Sequence, residues 1–238
     1  QAGAAASALL GDAPLADLAK EEEALVGTAA VDRGLDALVV EPLDAAPGAA
    51  WRHVDAAWAG PLRLSDRHAG LLDGIERADS VGVSAHKWLF QPKESALVLF
   101  ADVESANASI SVDASYLAVP NVGVLGSHGA VAVPLLATLL AYGRDGVAEW
   151  IDATMDLAEE LWHLVDAHPD LEARSRPHSG VVCWRHRSVT VEEIRTHLPP
   201  EVLVSTTTVD GESWLRSVAA NPMADPALVV AAVVAAVG

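Results

Sequence analysis

One cysteine in 238 residues, Cys183, excludes an internal disulfide and any metal site built from several thiolates. It sits in the strand-like run GVVCWR, so a small buried core residue is expected. Basic residues are scarce. Fifteen Lys and Arg stand against 33 Asp and Glu, and the formal net charge of −18 argues against nucleic acid or an anionic membrane surface as a partner. No HEXXH or HXE pattern occurs, and His53, His68, His128, His178 and His186 lack paired ligand spacing, so no metal is expected. Long apolar runs are missing too. VAVPLLATLLAYG is short and carries Pro134, and ALVVAAVVAAVG is shorter, so no membrane span is expected. No leader pattern is visible, and the expectation is a soluble, cytoplasmic protein. The first residue is Gln1 rather than methionine, as in a processed or trimmed chain. With 51% hydrophobic residues, the chain can bury one large core or two smaller ones.

What is present reads as strands alternating with helices, an α/β layer. GDAPLADLAKEEEAL suits a helix capped by Asp12, with Pro14 in its first turn and Leu15, Leu18 and Leu25 near one face. Its KEEE run is a solvated face. DALVV (36–40), WRHVDAAW (51–58), SVGVS (80–84) and SALVLF (95–100) read as strands, and 65–78 as a helix or helical turns. Residues 129–143 are apolar all round, as in a buried helix. Residues 147–169 form an amphipathic helix with Ile151, Met155, Ala158, Leu161 and Val165 on one face and Pro169 after its end. Beyond it the pattern changes to a small α+β unit. That unit comprises GVVCWR, a helix capped by Thr190 with Glu193 at the capping-box position, EVLVS (201–205), SWLRSV (213–218) and a helix after Asp225-Pro226. A boundary is expected near residue 145, dividing the chain into 1–145 and 146–238.

Between SVGVS and SALVLF stands His86-Lys87. A lysine near a core is costly unless it is paired, shifted or reactive, although a lysine after a strand is more often a solvated turn residue. Asp55 and Lys87 both follow strands, where open α/β sheets bind their ligands. A carboxylate and a lysine there suit pyridoxal phosphate. The lysine forms the Schiff base and the carboxylate keeps the pyridine nitrogen protonated.

The stretch WRHVDAAWAGPLRLSDRHAGLLDGIERADSVGVSAHKWLFQPKESALVLF resembles the group II pyridoxal-phosphate-dependent amino acid decarboxylases, which include the aromatic amino acid decarboxylases. The HVDAA segment and the ADS…HKW…QP segment both occur at the family's separation. The resemblance implies the C-terminal part of a fold type I (aspartate-aminotransferase-like) large domain, followed by a small α+β domain. It implies that Lys87 is the Schiff-base lysine, that Asp55 pairs with the pyridine nitrogen, that Ala57 lies against the ring, and that His86 and Ser84 lie near the phosphate. SVDASYL (111–117) resembles the mobile loop that carries the catalytic tyrosine. Tyr116 would return a proton to the carbanionic carbon, and the loop's reach into a neighbouring subunit implies an oligomer. Arg216, in the C-terminal segment, is read as structural.

The departures are informative. The Ser84 position is more often Asn or Asp in the family, and the Ala85 position is usually Pro. The family's Ser/Gly-rich phosphate loop and ring-stacking histidine, supplied by its N-terminal half, have no counterpart, and the double arginine after the tyrosine loop is replaced around GSHGAVAV. The resemblance therefore implies the lysine-bearing half of a decarboxylase, with a second polypeptide supplying the other half in a dimer or heterotetramer. The expected reaction is decarboxylation of an amino acid to an amine. Oxidative deamination to an aldehyde uses the same residues and is the close rival. A non-catalytic structural subunit is the alternative of another class.

Overall fold

The computed structural model describes residues 51–112, 115, 121–122 and 129–238. The helix and strand expected before residue 50, and Tyr116, lie outside the described residues.

A mixed sheet opens the described chain. Strand β1 (His53–Asp55) pairs in parallel with β2 (Ser80–Ser84), and β2 pairs antiparallel with β3 (Ala96–Phe100). The strand expected over 51–58 is shorter because Asp55 turns the chain. Its Oδ1 accepts the Ala57 N–H at 2.9 Å, and Pro61 then starts a 3-10 turn, Gly60–Leu64. Of the two forms expected for residues 65–78, helical turns form: two 3-10 turns, Ala69–Leu72 and Ile75–Arg77. Gly74 separates them at φ 92°, a left-handed conformation that glycine adopts without strain.

Helix α1 (Val103–Ile110) leads into the short antiparallel pair β4 (Ser111–Val112) and β5 (Asn121–Val122). Helix α2 (Val133–Asp166) follows, bent at Gly143, whose φ of 66° breaks the helical path. Its first half corrects one expectation. The apolar segment is helical but not buried: of its large side chains only Leu135 is enclosed, while Val133, Leu136, Leu139, Leu140 and Tyr142 face outward. That half reaches the rest through Leu135, which joins the core around Trp88, and through Gln91 Nε2, which donates to Thr138 Oγ1 at 3.1 Å, while Tyr142 at its end packs edge-on against Trp150 of the second half.

The second half of α2 buries the predicted face, Ile151, Met155, Ala158, Leu161 and Val165. It serves two cores. Val147, Ile151 and Met155 pack with Leu62, Leu72, Ala85, Trp88 and Leu89, whereas Ala158, Leu161 and Val165 pack beneath the C-terminal sheet. That sheet is antiparallel, in the order β6 (Leu171–Ala173), β7 (Val181–His186), β9 (Glu212–Val218), β8 (Ser205–Val209). Val182, Trp184 and Leu215 point to the helices, and Cys183, Val209 and Trp214 form a small cluster of their own. Period-two alternation explains both faces. Strand β8 begins at Ser205, four residues later than expected. Val202 N–H closes a turn onto the Pro199 carbonyl and leaves Leu203 in solvent. Helix α3 (Val191–His197) is capped by Thr190 Oγ1, which accepts the Glu193 N–H. Helix α4 (Pro226–Ala235) is capped by Asp225, which accepts the N–H groups of Ala227 and Leu228.

Candidate cofactor site

The site begins with how β1 and β2 are tied. Asp79 Oδ2 accepts the Arg52 backbone N–H at 2.7 Å and its Nε at 3.2 Å, and this pairing holds the Asp79 carboxyl below its ordinary range. One residue on, buried Ser80 Oγ takes the Trp51 indole N–H at 2.8 Å and meets His53 Nδ1 at 2.7 Å. The Asp-Ser pair thus anchors three successive residues of the incoming strand. The sequence separation of the two matched segments has a direct physical basis in this clamp.

Register then sets the face. Asp55 stands opposite Gly82, and Gly82 opposite Val98. Asp55, Gly82 and Val98 therefore share one side of the sheet, and Val98 and Asp55 are exposed there. Past the strand, Ala57 C=O accepts the Ser84 N–H at 3.2 Å, which brings Asp55, Ala57 and Ser84 to the carboxyl ends of two parallel neighbours. From Ser84 the chain turns tightly. Lys87 N–H donates to Ser84 O, and Gln91 N–H to Ala85 O. Phe90 closes the turn at φ 56°.

The turn is pinned from below. Ala85 and Trp88 are fully buried, and Trp88 stacks on Trp58 with centroids 4.9 Å apart. Its Nε1 donates to Ala219 O at 3.2 Å, joining the turn to the C-terminal sheet. A Cβ at Gly180 would stand 2.5 Å from Trp88 Cζ2, so the indole occupies the space that any side chain at 180 would need. With Ala85 and Trp88 fixed inward, His86 and Lys87 are left half-buried on the rim. Among the described residues, Lys87 Nζ makes no hydrogen bond or ion pair, Asp55 has no cationic partner, and buried His86 Nδ1 has no hydrogen-bond partner. A shielded ring nitrogen without a partner is costly and fits a site that awaits a polar ligand.

Of the six predicted positions, the described backbone links Asp55, Ala57 and Ser84 at the strand ends and sets His86 and Lys87 in the turn that follows. The supporting clamp (Trp51, His53, Asp79, Ser80) and the Trp58–Trp88 stack were not singled out from sequence. Alternation on β1 was the available signal, since His53 and Asp55 are two apart and share a face. Among the described residues no group of three or more His, Cys, Asp or Glu side chains could hold a metal, and no helix is long and apolar enough to cross a membrane.

Residues 42–187 match the profile of the pyridoxal-dependent decarboxylase conserved domain. Aspartate 1-decarboxylase of Aliivibrio fischeri is 31% identical over 140 residues, which is 56% of this chain and 25% of that protein. L-2,4-diaminobutyrate decarboxylase of Rhizobium meliloti is 29% identical over 228 residues, 87% of this chain and 46% of that protein. Among solved structures, Lactobacillus brevis glutamate decarboxylase superposes with a TM-score of 0.67 at 19% identity, covering 78% of this chain and 46% of that one. Mouse CSAD gives a TM-score of 0.65 at 23% identity, covering 78% and 45%. These likenesses establish the fold as that of the fold type I decarboxylases. The chain spans between a quarter and a half of the length of the first curated relatives it matches. By its sequence match over 42–187, this chain belongs to the pyridoxal-dependent decarboxylase family.

Proposed function

We propose that this chain carries the lysine-bearing half of a pyridoxal-phosphate-dependent amino acid decarboxylase, and that a second polypeptide supplies the rest of the cofactor pocket. The observation that carries the reading is the placement of Asp55 at the end of β1 and of Lys87 in the turn that follows its parallel neighbour β2, with neither side chain engaged by a charge partner among the described residues. Bound pyridoxal phosphate supplies an electron sink for the pair of electrons left when carbon dioxide departs.

The chain's own residues take the remaining tasks. Lys87 Nζ would hold the cofactor covalently in the resting site. Asp55, oriented by the Ala57 N–H, keeps a proton on the pyridine nitrogen and so preserves the sink. Ala57 presents only a methyl group to the ring face. Ser84 and His86 would hold the phosphate end, which would give His86 Nδ1 the partner it lacks. Tyr116 returns a proton to the carbon that has lost its carboxylate, releasing the amine. Its hydroxyl favours this outcome over the oxidative rival.

The outward apolar residues of α2 and the exposed Val98 and Leu99 of β3 support a partner. A sheet exposed on both faces of one strand is built to be covered. The small-domain reading for 146–238 is supported by the separate core beneath β6–β9 and by the bend at Gly143.

The test is carbon dioxide release from a panel of amino acids by the full chain together with whatever copurifies. Activity that disappears in Lys87→Ala supports the reading, and full activity in that variant returns the chain to a structural role. Isolation of the chain as a soluble, monodisperse species without a partner contradicts the two-polypeptide arrangement.

A further inference from the structure

We propose that His53 is a positioning residue whose tautomer is fixed by Trp51 and Ser80, so that its Nε2–H is presented beside Asp55. The hydrogen-bond roles follow from elimination. Indole Nε1 of Trp51 can only donate, so Ser80 Oγ accepts there, at 2.8 Å. Ser80 is 3% exposed, so its own hydroxyl proton cannot be given to bulk water. Among the described residues its one other partner is His53 Nδ1, at 2.7 Å. Ser80 therefore donates to Nδ1, and the neutral ring carries its proton on Nε2.

The ring's placement gives that proton a direction. His53 lies over Gly82: a Cβ at Gly82 would stand 3.3 Å from Nε2 and 3.5 Å from Cε1. Gly82 is the register partner of Asp55. His53 and Asp55 project from the same side of β1, and Nε2 is carried across to the level of Asp55. Glycine at 82 leaves the ring its seat. The relay Trp51–Ser80–His53 thus sets a donor on the sheet face where Asp55 opens, without adding a fixed positive charge. Among the described residues Nε2 makes no hydrogen bond to Asp55, whose Oδ1 accepts only the Ala57 N–H; the task assigned to Nε2 is to meet the second carboxylate oxygen once the carboxylate turns to a pyridine nitrogen. A carboxylate gripped at both oxygens keeps one orientation toward a pyridine nitrogen. This inference rests on the reading of Asp55 as the cofactor-facing carboxylate.

Two measurements on the full chain, with whatever copurifies, test it. The first needs no cofactor. Nitrogen-15 imidazole spectra at alkaline pH should show His53 with Nδ1 unprotonated and Nε2 protonated, and Ser80→Ala should release this into a tautomer mixture. A wild-type His53 protonated on Nδ1 overturns the relay. The second is pyridoxal phosphate affinity, read by absorbance. Gln places an amide donor near the Nε2 position, whereas Asn reaches only the Nδ1 position. His53→Asn should weaken affinity about tenfold, as loss of a hydrogen bond to a charged group would, and His53→Gln should restore most of it. If Asp55→Ala weakens binding while His53→Asn binds as the wild type does, the positioning role fails and the reading of Asp55 stands. If Asp55→Ala binds as the wild type does, the reading of Asp55 fails and takes the positioning role with it.

Discussion

Gly180→Ala is the substitution whose sign the structure decides most sharply. Gly180 is buried, and its backbone is not in the left-handed region, so alanine can adopt its conformation. On chain entropy alone, such a change stabilises by about 0.4–1 kcal/mol. Here the added methyl would stand 2.5 Å from Trp88 Cζ2 and 3.2 Å from Cε2. The indole cannot retreat. It is fully buried, stacked on Trp58 and tied to Ala219 O. Overpacking of this kind costs about 1–3 kcal/mol, which outweighs the entropic gain over nearly all of its range and leaves a net loss of up to about 2.6 kcal/mol. For a chain of this size that is a fall in Tm of up to roughly 10 °C. The assay is thermal or urea unfolding of Gly180→Ala, Trp88→Phe and the double variant. Trp88→Phe removes the ring atoms that the methyl would strike. Adding Gly180→Ala to that background should therefore cost less than in the wild type, with a coupling of about 0.5–3 kcal/mol. A Gly180→Ala chain as stable as the wild type, or an equal cost in both backgrounds, would refute the reasoning.

Three further outcomes are expected. Asp225→Ala, which strips α4 of the acceptor for two N–H groups, should cost about 0.5–2 kcal/mol in urea unfolding, and Asp225→Ser should recover most of it. Leu215, fully buried beneath the helices, should lose about 2–5 kcal/mol on replacement by alanine, measured the same way. The third concerns pH. Burial holds the His68 imidazole below its ordinary value of 6.5, against the pull of Asp152, which stands 3.7 Å from Nε2. The folded state thus binds this proton less readily than the unfolded chain. The contribution is fully present above about pH 6.5 and is lost as pH falls through the lower folded value. Unfolding free energy measured across that window should decline on acidification, and His68→Asn should flatten the decline.

The candidate positions came from resemblance rather than from pattern: the HVDAA and ADS…HKW…QP segments carry all five described residues between Asp55 and Lys87. What was local and readable is the framework, the two strands and the turn after β2, which follows from Ala85 and Trp88 pointing into the core. The amphipathic half of α2 and the caps at Thr190 and Asp225 were equally readable, since each depends on residues within a turn or two of one another. What escaped depends on contacts distant in sequence. The Trp51–Ser80–His53 relay spans 27 to 29 residues, and the Trp88–Ala219 bond spans 131. Neither leaves a periodic trace. The first half of α2 misled for a different reason. Apolarity all round marks a surface to be covered, but it does not say by which chain, and here the described residues leave it open. Residues 65–78 read as a helix or helical turns, and it is the turns that form, because Gly74 in the left-handed region separates the two 3-10 segments.

The most direct measurement of the central claim is borohydride reduction of the full chain, taken with whatever copurifies and supplied with pyridoxal phosphate, followed by peptide mass mapping. A pyridoxyl adduct is expected on the peptide that carries Lys87. A well-folded complex in which Lys87 stays unmodified would contradict that claim.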